Sequence, residues 1–283
     1  MANTLNERTF FVVALMAFLL GAVCAGGAVH VSAGGAGDPL ADGSIEHPYP
    51  TIQEGVEATT RTVLVAEGRY SEHVLIEDKT VHVLGGYDLS FTQRDPASHV
   101  TLIDGVHGVR RPLVEYLMST AGSLDGFSIQ GKGTLTGGGI SCYRSSPTIT
   151  NNIITDNRVH ARRSTGGGMA CWQSSPTITN NTITDNRAGY RGGGIECYES
   201  SLTLHNSILW GNSAPSGPEL YLTGPSTLTV RYSNVAGGAA AADGYTLDLD
   251  DTNIDADPLF ADPGHWDDNG TSDNAWDLSL IHI

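Results

Sequence analysis

The middle of the chain carries a pattern of apolar and polar positions that repeats. GGGISCYRSSPTITNNIITDN from Gly137, GGGMACWQSSPTITNNTITDN from Gly166 and GGGIECYESSLTLHNSILWGN from Gly192 align almost position by position at spacings of 29 and 26 residues. Inside each unit the period is two rather than 3.6, so the units predict short strands and not helices. Alternation puts Ile140 and Cys142, Met169 and Cys171, and Ile195 and Cys197 on one face. It sends Ile149, Ile178 and Leu204 inward on a second strand, and Ile154, Ile183 and Leu209 inward on a third. Three inward-pointing strands per unit predict a triangular coil of a β-solenoid, each unit stacked ~4.8 Å from the next.

Between the strands lie residues suited to corners. Asn151, Asn180 and Asn206 form one expected ladder, and Asn157, Asn186 and Asn212 another; asparagine tolerates a left-handed corner and its amide bonds to the amide one coil away. The glycine triplets open each coil where a Cβ would obstruct the bend. Upstream, TVLVAEGRYSEHVLI, KTVHVLGGY, HVTLIDG, RPLVEYLM and GSLDGFSIQGKG continue the alternation less regularly, and downstream GPELYL, STLTVRYSNV and YTLDLD give the last coils. The total comes to roughly seven to nine coils. Before them, Ile52, Val56 and Ala58 recur at helical spacing behind an N-cap at Thr51 with Glu54 three residues on. This helix is expected to cap the open end of the solenoid, covering its apolar core and edge backbone.

These readings divide the chain. Residues 1–25 read as a secretory signal peptide, with an apolar run from Phe10 to Val23 and small residues after it, so a secreted or cell-surface location is expected. Residues 26–62 hold an N-terminal strand and the capping helix, and 63–242 the β-helix coils, clearest over 137–212. Residues 243–277 form an Asp-rich C-terminal cap, expected to be truncated. Leu278–Ile283 reads as the translation of a sequencing adapter and is set apart from the fold.

Composition changes this picture only locally. Glycine supplies 35 of 283 residues without a collagen period, and 40% hydrophobic residues are enough for a core. The formal charge of −16 is concentrated: Asp243 to Asp277 contribute 11 carboxylates and no Lys or Arg, leaving −16 + 11 = −5 elsewhere. Nucleic acid is not an expected partner of so acidic a chain. The tail offers many oxygen ligands but no fixed calcium-loop spacing, so weak Ca²⁺ binding at the surface is the most it offers, and no cofactor or structural metal is expected.

Candidate chemistry falls in three groups. Cys142, Cys171 and Cys197 share one register; aimed alike along parallel strands, they read as a buried ladder of small hydrophobes, and no histidine joins them to make a zinc site. Tyr143, Trp172 and Tyr198 follow the cysteines directly, so alternation turns them outward as an aromatic strip suited to sugar rings. Arg158, Arg187, Arg162, Arg163, Tyr190 and Arg191 lie beyond the third strand, where guanidinium groups could hold carboxylates or sulfates of an acidic glycan. The alternative is catalysis, for which Asp156 and Asp185 with Arg158 and Arg187 are the arrangement nearest a catalytic set.

VHVSAGG, PTIQEGVEA, TVLVAEGRYSEHVLI and LGGYDLSF followed by the GGGI coils resemble the secreted right-handed parallel β-helix proteins of bacteria, in the pectin-lyase-like superfamily, over roughly Val29 to Asp262. ITDNRA followed by GGGI is also similar to the repeats of polymorphic outer membrane proteins, with Ile here in place of their Phe and no autotransporter barrel following. The resemblance implies an all-β, single-stranded right-handed parallel β-helix. By analogy it implies adhesion, with a polysaccharide lyase or glycoside hydrolase as the alternative; together with the aromatic strip, a non-catalytic carbohydrate-binding or adhesive module is expected, a monomer whose partner is a polysaccharide or cell-surface glycan.

Overall fold

The computed structural model describes residues 27–258 apart from 106–110, 120, 135–136, 160, 162, 238–241 and 244–245. The signal-peptide reading, Arg162, most of the acidic cap and the final six residues therefore lie outside the described residues. Within them the chain winds as a right-handed parallel β-helix whose strands form three long sheets. Sheet A has nine strands, from Val29–Val31 to Thr246–Leu249. Sheet B has seven, from Gly68–Ser71 to Asn234–Val235, and sheet C seven, from Val74–Glu77 to Ala242–Asp243.

The spacing of 29 and 26 residues is the rise of one coil. Cys142 pairs with Cys171 and Cys171 with Cys197, Ile149 with Ile178 and Leu204, and Ile154 with Ile183 and Leu209. All nine are buried, forming part of one continuous core. The three thiols are free and stacked, and burial together with thiol neighbours on both sides drives the Cys171 thiol upward, the neighbours first. They are packing groups, as small hydrophobes would be.

The triangular coil needs a correction. Lys132–Thr134, Arg158–Val159 and Arg187–Ala188 pair as a fourth, three-stranded sheet D between sheets B and C, so the central coils have an additional side. Strands of two residues carry too little alternation to be read from sequence.

The corners follow the left-handed backbone. Asn151, Asn180 and Asn206 have φ of 54°, 57° and 47° and occupy the expected corner between sheets A and B. The second ladder is displaced: Asn157, Asn186 and Asn212 are buried, and the left-handed residues beside them are Asp156, Asp185 and Gly211. A further buried rank, Asn152 and Asn181 continued by Ser207 and Ser233, lies one residue after the exposed corner. A third corner, between sheets C and A, is left-handed at Arg144, Gln173 and Glu199. Their side chains bond in sequence, Arg144 Nε to Gln173 Oε1 at 2.8 Å and Gln173 Nε2 to Glu199 Oε2 at 2.8 Å, which offsets the cost of that backbone.

Helix α1, Ile52–Ala58, covers the N-terminal end. Thr51 caps it by accepting the Glu54 N–H, and Ile52 and Val56 are buried on the first coils. Ala58 is exposed, and Gly55 takes the third buried position, because a Cβ there would lie 2.6 Å from Val31 Cγ2. Glu72 accepts the N–H groups of Ile52 and Gln53 at 2.8 and 2.9 Å, satisfying two free donors of the first turn.

Candidate functional site

On the strands of sheet C, the residue between two core positions and the one after them face outward. Tyr143, Trp172 and Tyr198 are register partners on three successive rungs. Tyr143 is 36% and Trp172 42% exposed, with Tyr198 half-buried. The Trp172 and Tyr198 ring centroids are 5.2 Å apart and tilted by 37°, and the Arg144 guanidinium lies 5.2 Å from the Tyr143 ring centre. The three rings thus share one outward register, with Trp172 and Tyr198 tilted against each other and a cation over Tyr143.

Beside it runs a second outward rank: Ser141, Ala170, Glu196 and Tyr221 in register. Ser141 is half-buried and Ala170 buried, where the glycine turns at Gly137 and Gly166 come close against them. Glu196 closes the rank. Only 1% exposed, it accepts the Trp172 indole N–H at 3.2 Å. Burial pushes its carboxyl up to about 7, against the opposing pull of Arg191 and the indole. Arg191 packs over the rings of Tyr190 and Tyr221 at 5.0 and 4.8 Å and donates to the Tyr221 hydroxyl at 3.1 Å. Thus Tyr190 and Arg191 join the strip through Glu196, a residue the repeat pattern hides because only the third of the three aligned units has a carboxylate there.

Arg158 and Arg187 are placed differently. They are exposed register partners on sheet D, before the loop that leads back to sheet C. Arg158 pairs with Asp156 at 3.2 Å, and Asp185 accepts from the Thr184 hydroxyl at 3.2 Å. Partial burial raises the Asp185 carboxyl, with Thr184 lowering it and the neighbouring Asp156 raising it. Both aspartates sit at left-handed corners where the next coil has Gly211, so the backbone alone accounts for their residue type. Among the described residues no group of three or more His, Cys, Asp or Glu side chains is arranged to hold a metal ion.

The exposed asparagine corner borders a groove of about 470 Å³ lined by Arg94, Phe127, Asn151, Ile153, Asn180 and Asn206. Arg94 donates to Gly85 O at 2.9 Å and to Asp125 Oδ1 at 2.6 Å, and Asn151 donates to the same carboxylate at 3.0 Å. The ladder was legible in sequence; the groove depends on Arg94, brought in by a loop with no counterpart in the repeats.

Residues 120–254 match the family model described as right handed beta helix region. No curated protein and no solved structure matches the chain. The β-helix match accounts for the scaffold and assigns no chemistry to it.

Two buried carboxyls make stability depend on pH. Glu196 and Glu219 are both pushed up to about 7 from an ordinary 4.5, burial being the first cause in each. The folded chain therefore holds more protons than the unfolded chain between those values. Their favourable contribution is full below about 4.5 and is lost as pH rises to about 7. Asp38, Asp42, Asp88 and Asp95, lowered mainly by hydrogen bonds, act oppositely and lose their contribution as pH falls through the acid range. Stability should peak under mildly acidic conditions. Glu196→Gln should stabilise the protein at pH 8 by on the order of 2 kcal/mol and change it little at pH 5. Equal melting shifts at both pH values would sink the assignment.

Proposed function

We propose that this protein is an exported, non-catalytic module that holds an acidic polysaccharide or cell-surface glycan against the outward face of sheet C. The observation that supports this most is the placement of Trp172, exposed between Tyr143 and Tyr198 on consecutive rungs. Sugar C–H groups pack on such aromatic faces. Arg144 stands at the Tyr143 end and Arg191 beside Glu196, and their guanidinium groups suit bidentate contact with carboxylates or sulfates. Because the strip runs along the solenoid axis, an elongated ligand can use all three rungs together.

A glycan array tests the reading. The chain should retain acidic glycans, and Tyr143→Ala, Trp172→Ala and Tyr198→Ala combined should weaken retention about 100-fold, the sum of three contacts of ~1 kcal/mol. Unchanged retention by the triple variant removes the strip from consideration. Release of new reducing or unsaturated ends from the bound glycan overturns the non-catalytic half of the proposal.

A further inference from the structure

An acid and a base depart from the repeat on the same coil. Along sheet C, the outward position between the two core residues is Ser141, Ala170, Glu196 and Tyr221 on successive rungs, and Glu196 is the one carboxylic acid in that rank. The position leading into those strands runs Thr165, Arg191 and Ser216, where Arg191 alone is charged. The two exceptions face each other beside the exposed ring of Trp172.

Glu196 is 1% exposed and accepts one hydrogen bond, from the Trp172 indole at 3.2 Å. Among the described residues, no Lys, Arg or His nitrogen lies within 4.0 Å of its oxygens. A carboxyl so placed has lost its water without gaining an ion pair, so the protonated form is favoured. Burial accordingly comes first among the causes that carry it to about 7. The elements packed against it are the rung of Ala170 and Trp172, the rung of Tyr221 and the loop carrying Tyr190 and Arg191. From these, among the described residues, Arg191 is the one charged group that acts on it.

Arg191 is held in place yet left unbalanced. The rings of Tyr190 and Tyr221 lie 5.0 and 4.8 Å from its guanidinium, Nη1 donates to the Tyr221 hydroxyl at 3.1 Å, and the buried Nε has no partner. No carboxylate of the described protein comes within 4.0 Å of it. While Glu196 keeps its proton, this half-buried cation is available to an anion lying on Trp172. Once Glu196 ionises, a buried negative charge that salt screens little cancels much of the field. Resting on the glycan-binding reading of sheet C, we propose that Glu196 is a positioning residue that sets the affinity of this face for anionic sugars, leaving Arg191 to the ligand when neutral and withdrawing it when ionised. Linkage makes the effect reciprocal: a bound anion holds the proton on Glu196, so binding takes up protons.

Retention of the full chain on immobilised dextran sulfate, whose charge does not change between pH 5 and pH 8, tests this against unsulfated dextran. Glu196→Gln keeps a neutral side chain at every pH, Arg191→Gln removes the cation, and thermal unfolding verifies both folds. Relative to Glu196→Gln, the unsubstituted chain should lose about ten-fold in affinity from pH 5 to pH 8, and the two should bind alike at pH 5. It should also take up more protons than Glu196→Gln on binding near pH 7. In the Arg191→Gln background, adding Glu196→Gln should change neither retention nor its pH profile. Parallel profiles for the unsubstituted chain and Glu196→Gln, with Trp172→Ala still weakening retention, overturn this inference and leave the glycan reading standing. Retention that Trp172→Ala leaves unchanged overturns both, and no retention of dextran sulfate at pH 5 overturns the inference.

Discussion

Gly167→Ala should prevent the native coil from closing. A Cβ at that position would lie 2.3 Å from the carbonyl oxygen of Gly193 on the next coil and 2.8 Å from the backbone of Arg187. Gly138→Ala is more severe, with the Cβ 1.9 Å from Gly167 O. These obstacles are backbone atoms held by the ladder, including Gly167 N to Gly192 O at 2.8 Å, and cannot turn aside as a side chain would. Relief requires separating two coils and breaking several such bonds, so the expected loss exceeds ~3 kcal/mol. Gly27→Ala, where a Cβ meets nothing within 4 Å, is the matched control and should be neutral. Urea unfolding compares the three; a Gly167→Ala midpoint equal to that of the control would show that the coils are not packed at this distance.

Asn181→Ala is the second large effect. Its side-chain oxygen accepts from the Asn152 backbone N–H at 2.9 Å and from the Asn152 amide at 3.1 Å. Its nitrogen donates to the carbonyls of Ile149 and Thr179 at 2.8 and 2.9 Å. The side chain thus joins two coils through buried groups that water does not reach. Truncation strands two donors and the Ile149 acceptor, at about 1–3 kcal/mol each, and a loss of ~3–5 kcal/mol is expected. Asn181→Ser should recover part of it, because Ser207 and Ser233 accept the equivalent backbone N–H on later coils at 3.1 Å. The adjacent Asn180→Gly should be nearly neutral, since Asn180 is exposed and its residue type answers chiefly to a left-handed φ. Similar losses at 180 and 181 would refute the division of labour between the two asparagines.

That division also marks where sequence reading reached its limit. In NN of SPTITNN, one asparagine turns the chain and the next ties the coils together, and nothing local distinguishes them. Once the coils are stacked, the first has a left-handed backbone facing solvent and the second an amide in the dry interior. The same holds for DN of TDN, where Asp156 and Asp185 take the corner and Asn157 and Asn186 the buried ladder. The buried ladder ends at Asn212, whose backbone N–H and amide both donate to Glu219 where an asparagine oxygen would stand.

The amino-acid sequence by itself determined the coil. Side-chain alternation is a property of neighbouring residues, and the repeat carries its register along the chain, so the inward ranks, the outward aromatic strip and the capping helix could be located before any contact was known. Only the tertiary structure decided what occupies the space between coils and beyond the repeats. It sets Glu196 beneath Trp172, brings Arg94 from its loop to the asparagine corner and inserts sheet D. The reason is physical: strand periodicity acts over two residues and survives repetition, whereas a carboxyl meeting an indole or a loop closing a groove is a contact across 24 to 112 positions that no local pattern encodes.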